Sequence, residues 1–469
     1  MYIFYDFETS SRDLIGQIIS YAFVLTDDNL KPIENLTGKI KLNRTQCPEV
    51  DALLVNKIQV SELQDVGLTE YEASKTIFDF LNKAISNYGE CCLVGYNSNQ
   101  FDIGFLRTLF IRYGINPYFE GKLKNLDILH YAQYLAFYYP AKFPWVQSQS
   151  EKSSYYSFKL EDLTSATGLL TEAQSHDALE DVLLTIKLVE YFEQLFEVPF
   201  KTFEPFRLPD LSIAQDGWQL VQVRSRHFIA LGETPEKYTT ELYLTLSLNK
   251  KALLFVNLSK YHELASATET LSDDEKLSCI RYVNPNKAFF LAESAEHADF
   301  PDMVATIASI QEDSFYAQLN LNPTSYFDMI EKDWDIEYQV HKLGFDRIPK
   351  LHRIVEQFMA EPEQYNTIIK DLVATRKDPK DNYLIQLFNR VYLNYHPNPN
   401  PDYLRRYLIP RYVDGTMYKD LGYDKHFEKQ YAYLIEKLDT CDNETDLAIL
   451  KSLLHYYEGF SEPLMASQS

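Results

Sequence analysis

The sequence predicts an N-terminal α/β domain built on a mixed sheet, followed by a β-rich segment and a C-terminal all-helical segment. Three observations carry that expectation. Residues 1–198 read as three strands, a helix, a strand and then helices, as in layered α/β architecture with a mixed sheet. Pro199, Pro205 and Pro209 then punctuate the chain, and the pattern beyond them turns to period two, as in Thr240 to Leu248. From Ile348 the apolar residues recur at helical spacing almost to the end. The expected domains are therefore 1–198, 199–345 and 346–460, with 461–469 as a frayed tail. A chain of 469 residues exceeds one ordinary core, in agreement with two or three domains.

Within the first domain, Tyr2 to Glu8 reads as a strand. Asp6 and Glu8 stand two apart, so both carboxylates face the same side of it. Two acids on one strand face repel, so the face is either wet and at an edge or holds a divalent cation. Gly16 to Leu25 is a second strand, Asp27-Asp28-Asn29 a turn, and Gly38 to Leu42 a third strand. Thr69 to Tyr88 is an amphipathic helix with Tyr71, Ile77, Phe78, Leu81 and Ile85 on its apolar side. Cys91 to Tyr96 is a short buried strand, and Asn97-Ser98-Asn99 a turn. A helix opens at Phe101 with Asp102 in its first turn, where the helix dipole favours a carboxylate whether or not it binds a metal. Asp127 reads as an N-cap. Residues 140–157 read as loop, and the helix from Phe158 closes at Gly168.

The stretch Ser175-His176-Asp177-Ala178-Leu179-Glu180-Asp181 then opens an apolar helix. Asp177 is a good N-cap, and Glu180 three residues later completes a capping box. That places His176 at N′ and Asp181 at N4, the two positions that pack together in a hydrophobic staple. Here the pair is an imidazole and a carboxylate. Alone, it fits a capped helix with an incidental histidine as well as it fits a site.

Beyond residue 200, strands are expected at Glu241 to Ser247, Ala252 to Leu258 and Lys287 to Leu291, in a small twisted sheet or barrel. Residues 263–276, acidic and rich in serine and threonine, read as a solvent loop. Helices are expected at Leu351 to Met359, Pro362 to Ala374, Asn382 to Leu393, Pro401 to Tyr407, Lys425 to Leu438 and Glu444 to Tyr457. Within them Arg405, Arg406 and Arg411 alternate with tyrosines. Basic and aromatic residues so interleaved suit phosphate contact with base stacking, and equally suit tyrosines packed inward with arginines snorkelling outward.

The formal charge of −23 argues against a passive nucleic-acid coat, which should be basic, but not against an enzyme that concentrates carboxylates around metal ions. The five cysteines are scattered and lack zinc-finger spacing, as in a reduced cytosolic protein. Residues 1–6 have no basic, apolar signal-peptide pattern, and no apolar run of membrane-spanning length is expected.

Gathered at one sheet end, Asp6, Glu8, Asp102 and Asp181 are hard oxygen ligands suited to Mg²⁺ or Mn²⁺. Four carboxylates can hold two such ions about 4 Å apart, the arrangement that clamps the attacking and leaving oxygens of a phosphodiester. His176, whose type has an unperturbed pKa of about 6.5, can take a proton from water. Hydrolytic phosphoryl transfer is the reaction class.

Asp6-Phe7-Glu8-Thr9, Gly95-Tyr96-Asn97 with Phe101-Asp102, and His176-Asp177-Ala178 with Asp181 resemble the three motifs of the DEDDh 3′→5′ exonuclease superfamily. Further likeness to its single-strand exodeoxyribonuclease branch lies in Ser157-Phe158-Lys159-Leu160-Glu161-Asp162-Leu163-Thr164, Asn286-Lys287-Ala288-Phe289-Phe290-Leu291-Ala292 and Lys342-Leu343-Gly344-Phe345-Asp346. The resemblance implies a ribonuclease H-like exonuclease domain, an SH3-like β domain and a helical domain that together grip single-stranded DNA. It implies two Mg²⁺ ions, replaceable by Mn²⁺, on Asp6, Glu8, Asp102 and Asp181, with His176 as general base. It puts Phe7, Thr9, Tyr96 and Asn97 near the terminal nucleotide, and Lys159 on a phosphate where the family has arginine. Lysine keeps that charge but loses the bidentate fork. After Thr9 this chain has Ser10-Ser11, where the superfamily often has glycine or an aromatic–glycine pair. The expected protein is a cytoplasmic bacterial monomer of DNA repair. It would bind the acidic C-terminal tail of single-stranded DNA-binding protein, with Arg224, Arg226 and Lys237 as candidate contacts. The competing readings are an exoribonuclease or proofreading enzyme of the same superfamily, and a non-catalytic nucleic-acid scaffold on a dead nuclease fold. The long β-plus-helical extension speaks against the first, and the presence of all five polar groups against the second.

Overall fold

Tyr2–Thr9 forms β1, the middle strand of a five-stranded sheet in the order β3-β2-β1-β4-β5. Strand β2 (Ile18–Thr26) runs antiparallel to β1, pairing Asp6 with Ala22 and Glu8 with Ser20. Strand β4 (Cys91–Gly95) runs parallel to β1 on the other side, pairing Phe4 with Val94. Strands β3 (Pro32–Lys39) and β5 (Leu123–Asp127) are the outer strands. The sheet is therefore mixed, as the sequence predicts. The computed structural model describes residues 1–147, 156–170, 177–203, 206–207, 220–228, 238–249, 252–268, 270–283, 290–294, 302–330, 335–338, 343–417 and 422–465.

Two expectations for this sheet need correction. The third strand starts at Pro32, not Gly38, because the Asp27–Lys31 turn is closed by Asp27 Oδ1 and feeds directly into pairing with β2. Its residues are mostly half-exposed or exposed, so they lack the apolar run that marks a buried strand. Strand β5 is equally polar and was not expected at all.

The helices of this region follow their caps. Short helices α1 (Val50–Val55) and α2 (Val60–Val66) precede α3 (Glu70–Tyr88), which Thr69 opens with a full capping box to Glu72. Helix α4 (Asp102–Arg112) follows β4, and α5 (Ile128–Tyr138) starts at Asp127, whose carboxylate accepts from Leu129 N–H as expected. Then come α6 (Leu160–Ala166), ended by Gly168 at φ 72°, and α7 (Ala178–Phe196).

The chain forms two compact units. One comprises Met1–Leu126, Glu172–Ile186 and Asp333–Ser469, the other Asp127–Thr171 and Lys187–Lys332. In the first unit the face of the sheet formed by Ile3, Tyr5 and Phe7 shares one continuous core with α3, α4 and the C-terminal helices. Those helices include Ile348–Ala360, Tyr365–Ala374, Lys380–Tyr395, Pro401–Leu408, His426–Thr440 and Glu444–Met465, the first five within a few residues of expectation and the last extending well beyond the expected end at Tyr457. The last helix runs past Ser461 to Met465.

The second unit carries a six-stranded sheet. Its strands β6 (Phe206–Arg207), β7 (Leu220–Phe228), β8 (Tyr238–Asn249), β9 (Ala252–Asn257), β10 (Ile280–Val283) and β11 (Phe290–Ser294) run in the order β10-β9-β8-β7-β11-β6. Neighbouring strands are antiparallel except β11 with β6. Residues 263–276 are not a solvent loop. Asn257 caps a helix over Leu258–Ala267, and Ser272 with Glu275 forms a capping box for Asp273–Ser278. The polar run that reads as loop chemistry is cap chemistry. Further helices at Met303–Glu312, Ser314–Leu321 and Ser325–Met329 make this region mixed rather than purely β-rich. Among the described residues no helix is long and apolar enough to cross a membrane, and all five cysteines are free thiols.

Candidate active site

Asp6 and Glu8 project from the same face of β1, opposite the face that Ile3, Tyr5 and Phe7 give to the core. Asp181 joins them from the first turn of α7. Asp177 is the N-cap there, accepting from the N–H groups of Leu179 (3.0 Å) and Glu180 (3.2 Å), while its carbonyl accepts from Asp181 N–H at 3.0 Å. The cap thus fixes Asp181 at N4. Asp6, Glu8 and Asp181 each bring one carboxylate oxygen within 4.8 Å of the others.

Asp102 arrives from the turn between β4 and α4. Gly95 ends β4 where a Cβ would meet Ser98 Cβ at 2.5 Å and the Tyr5 carbonyl at 3.2 Å, so the chain turns in direct contact with β1. Asn97 takes a left-handed conformation (φ 57°), which asparagine tolerates better than most residues. The Ser98 carbonyl then accepts from the N–H groups of Phe101 and Ile103, and α4 begins with Asp102. Asp102 is 4% exposed, Asp181 7% and Glu8 8%, so three of the four carboxylates are out of bulk water.

The electrostatic consequence is large. Burial pushes the Asp6 carboxyl well above the usual carboxylate range, and the charges of Asp102, Glu8, Asp181 and Asp177 push it further. Burial, Asp181, Asp102 and Asp177 raise Glu8 to about 8. Every charged neighbour named in these shifts is another carboxylate. Such a cluster is stable in ionised form only with cations among its oxygens, and hard carboxylate oxygens suit a small divalent ion. The residues present therefore fit the metal group that the sequence pattern implies. Asp177, expected only as a cap, is also part of the acidic field; its N-cap position was legible, its second role was not.

Beside Glu8 lies a cleft of about 200 Å³ lined by Thr9, Ser11, Arg12, Asn56 and Phe101 among others. Thr9 Oγ1 donates to the Ser11 carbonyl (2.8 Å), and Asn56 Nδ2 donates to the Thr9 carbonyl (3.1 Å). Phe7 also borders the cleft, although its ring packs edge-on against Tyr5 and Phe23. Arg12, Asn56 and Phe101 were not foreseen as cleft residues. Asn56 follows a one-and-a-half-turn helix too short to give a periodic signal.

The remaining expected residues are placed as follows. Tyr96 is half-buried and Asn97 exposed, both in the turn that delivers Asp102. Lys159 is exposed at the N-cap position of α6 in the second unit. His176 and Lys237 lie outside the described residues, and the side chains of Arg224 and Arg226 on β7 (Leu220–Phe228) do as well. Arg411 is not a candidate for DNA. It is 2% exposed, donates to Asp335 at 2.7 Å and stacks on the Tyr407 ring. Arg405 is half-buried with an unbonded Nε, and Arg406 is exposed.

Residues 3–189 match the RNase_T family, described as Exonuclease. Exodeoxyribonuclease I of Buchnera aphidicola subsp. Acyrthosiphon pisum is 28% identical over 210 residues, covering 43% of this chain and 48% of that one. Exodeoxyribonuclease I of Escherichia coli K12 is 23% identical over 311 residues, covering 62% of this chain and 64% of that one. The aligned part thus spans about half to two thirds of these relatives. In three dimensions the likeness covers 98% of this chain and 99% of each neighbour. The E. coli exonuclease I complex with a dA16 oligonucleotide superposes with a TM-score of 0.68 at 17% identity. The exonuclease I of Methylocaldum szegediense superposes with a TM-score of 0.65 at 20% identity. At these identities the likeness establishes the fold.

Proposed function

We propose that this chain, whose residues 3–189 match the exonuclease family, removes 5′-mononucleotides from the 3′ end of single-stranded DNA. The observation that carries the proposal is the convergence of the Asp6, Glu8 and Asp181 carboxylates, with Asp102 in the same field, beside a cleft of about 200 Å³. Asp6, Glu8, Asp102 and Asp181 would hold two Mg²⁺ ions, with Mn²⁺ as a substitute. Bound there, the ions would lower the pKa of water and neutralise charge on the scissile phosphate. His176 is the proposed general base and would accept the water proton on a ring nitrogen. The water oxygen bonds to phosphorus and the P–O3′ bond breaks. A 5′-mononucleotide leaves, and the O3′ of the shortened strand takes a proton from solvent water to become a 3′-hydroxyl. Thr9, Phe7, Tyr96 and Asn97 are proposed to orient the terminal nucleotide, Lys159 to meet a phosphate, and Arg405 and Arg406 to border the strand.

The domain organisation proposed is the one the sequence resemblance implies: an exonuclease domain over 1–198, an SH3-like domain over 199–345 and a helical domain over 346–460. The proposal extends to action as a cytoplasmic monomer in DNA repair, with the C-terminal tail of single-stranded DNA-binding protein as partner, as the sequence resemblance implies.

The test uses 5′-labelled single-stranded DNA, duplex DNA and RNA with Mg²⁺. Shortening of single-stranded DNA from the 3′ end by the wild type, and its loss in Asp181→Ala, is the expected result. Equal activity of the two proteins would remove the site assignment, and preferential RNA degradation would favour the exoribonuclease reading.

A further inference from the structure

The segment that joins β1 to β2 forms one wall of the cleft, through Ser11 and Arg12. A buried guanidinium holds it from outside the sheet. Arg112, the last residue of α4, donates through Nη2 to the carbonyl oxygens of Leu14 (3.4 Å), Ile15 (3.3 Å) and Gly16 (2.7 Å). Its other nitrogens meet Glu70 (2.6 Å) and Glu337 (2.8 Å), so its position is set by charges on α3 and on the segment Asp335–Tyr338. The same helix that begins with Asp102 thus ends on the connection. Between those ends, Gly104 receives Leu14, and a Cβ there would meet Leu14 Cδ2 at 2.7 Å.

The connection has little freedom left. Ser10 N–H donates to the Gln17 carbonyl, Glu49 N–H donates to the Ser10 carbonyl, and Gly16 N–H donates to the Asp13 carbonyl. At its tip Asp13 accepts a hydrogen bond from the Tyr423 hydroxyl. A Cβ on Gly16 would lie 2.2 Å from Ser11 Oγ, which couples the clamped end of the connection to the cleft-lining end.

We propose that Arg112 is a positioning residue for the nucleotide cleft. It fixes the Thr9–Arg12 wall relative to Asp6 and Glu8 by gathering three consecutive carbonyls on one guanidinium. This rests on the exonuclease reading above. Lysine would keep the charge between Glu70 and Glu337 but has no planar fork to span two carboxylates and three carbonyls.

The experiment compares wild type, Arg112→Lys and Tyr423→Phe as full chains. It measures kcat and KM on single-stranded DNA with Mg²⁺, and Mn²⁺ affinity by titration calorimetry without DNA. Arg112→Lys should raise KM about tenfold with kcat changed less, the pattern of lost ground-state positioning, while Mn²⁺ affinity stays within about twofold. Tyr423→Phe, which removes one hydroxyl at the far end of the connection, should raise KM in the same direction by a smaller factor. It reports on the connection even if Arg112→Lys does not fold. Wild-type KM in every folded variant, or a loss of Mn²⁺ affinity that parallels the kinetic loss, would overturn the inference. Absence of nuclease activity in the wild type would instead overturn the exonuclease reading.

Discussion

Glu8 and Asp6 show what burying like charges does to single residues. Both are held above the ordinary carboxylate range in the fold, Glu8 at about 8, so the folded chain binds protons that the unfolded chain releases near pH 4. Stability from these groups is therefore fully present below about pH 4 and is lost as pH rises through about 8. The metal-free protein should lose melting temperature between pH 5 and pH 8, and Mg²⁺ should restore it, increasingly so at the upper end. The same competition makes ion binding displace protons, so apparent Mn²⁺ affinity should climb by up to about tenfold per pH unit for each proton displaced. A flat affinity between pH 6 and 8 would mean that the carboxylates are already ionised. Asp181 and His176 divide differently. Asp181→Ala should weaken Mn²⁺ binding and abolish activity. His176→Ala should keep the ion and lose about 10²–10⁴-fold in rate. Equal Mn²⁺ affinities in the two variants would sink that division.

At the scale of elements, the site depends on how helices and strands end. Asp177 sets the first turn of α7 through two backbone N–H groups, and Asp181 sits one turn in. Asp177→Ala should cost about 0.5–2 kcal/mol, read in a urea midpoint, because a cap is lost. It should also reduce activity, because the turn that carries Asp181 loses its anchor. Asp177→Asn keeps the cap and removes a negative charge from the field around Asp6 and Glu8. It should hold stability near wild type while lowering the pH at which ions bind. Similar affinity profiles for the asparagine variant and the wild type would deny Asp177 its electrostatic role. These ends were the legible part of the sequence. The period-two spacing of Asp6 and Glu8, the N-cap at Asp177 and the helix start at Asp102 are local rules, written within a few residues. Strand β3 was placed too late and β5 was missed because their residues are polar and largely half-exposed or exposed, and the helix at Leu258–Ala267 was missed because its cap chemistry reads as loop. Arg411 was misread because its partner is distant in sequence. Nothing near Tyr407 and Tyr412 announces Asp335, which turns a would-be surface arginine inward.

For the molecule as a whole, that inward turn belongs to a larger pattern. Arg390 donates to both Asp335 and Glu337, Arg411 donates to Asp335, and Arg112 donates to Glu337 and Glu70. Three guanidiniums and three carboxylates thus run without a break from the end of α4 and the start of α3 to the C-terminal helices, inside the unit whose apolar core they also share. Burial alone would raise Asp335 and Glu337, but the arginines outweigh it and hold both below their ordinary values. Stability from these two groups is therefore present at neutral pH and is lost as pH falls below about 4. Removing one partner should be costly, because the charges left behind remain buried and unpaired. Asp335→Ala, which removes the carboxylate that Arg390 and Arg411 share, should destabilise by about 3–5 kcal/mol. Because the sheet face and the C-terminal helices are one core, the loss should appear as a single shifted transition in urea, whether followed by far-ultraviolet dichroism or by tyrosine fluorescence. Separate transitions, with the C-terminal helices melting first while Mn²⁺ binding at Asp6, Glu8 and Asp181 survives, would mean that the network fastens two independent folds.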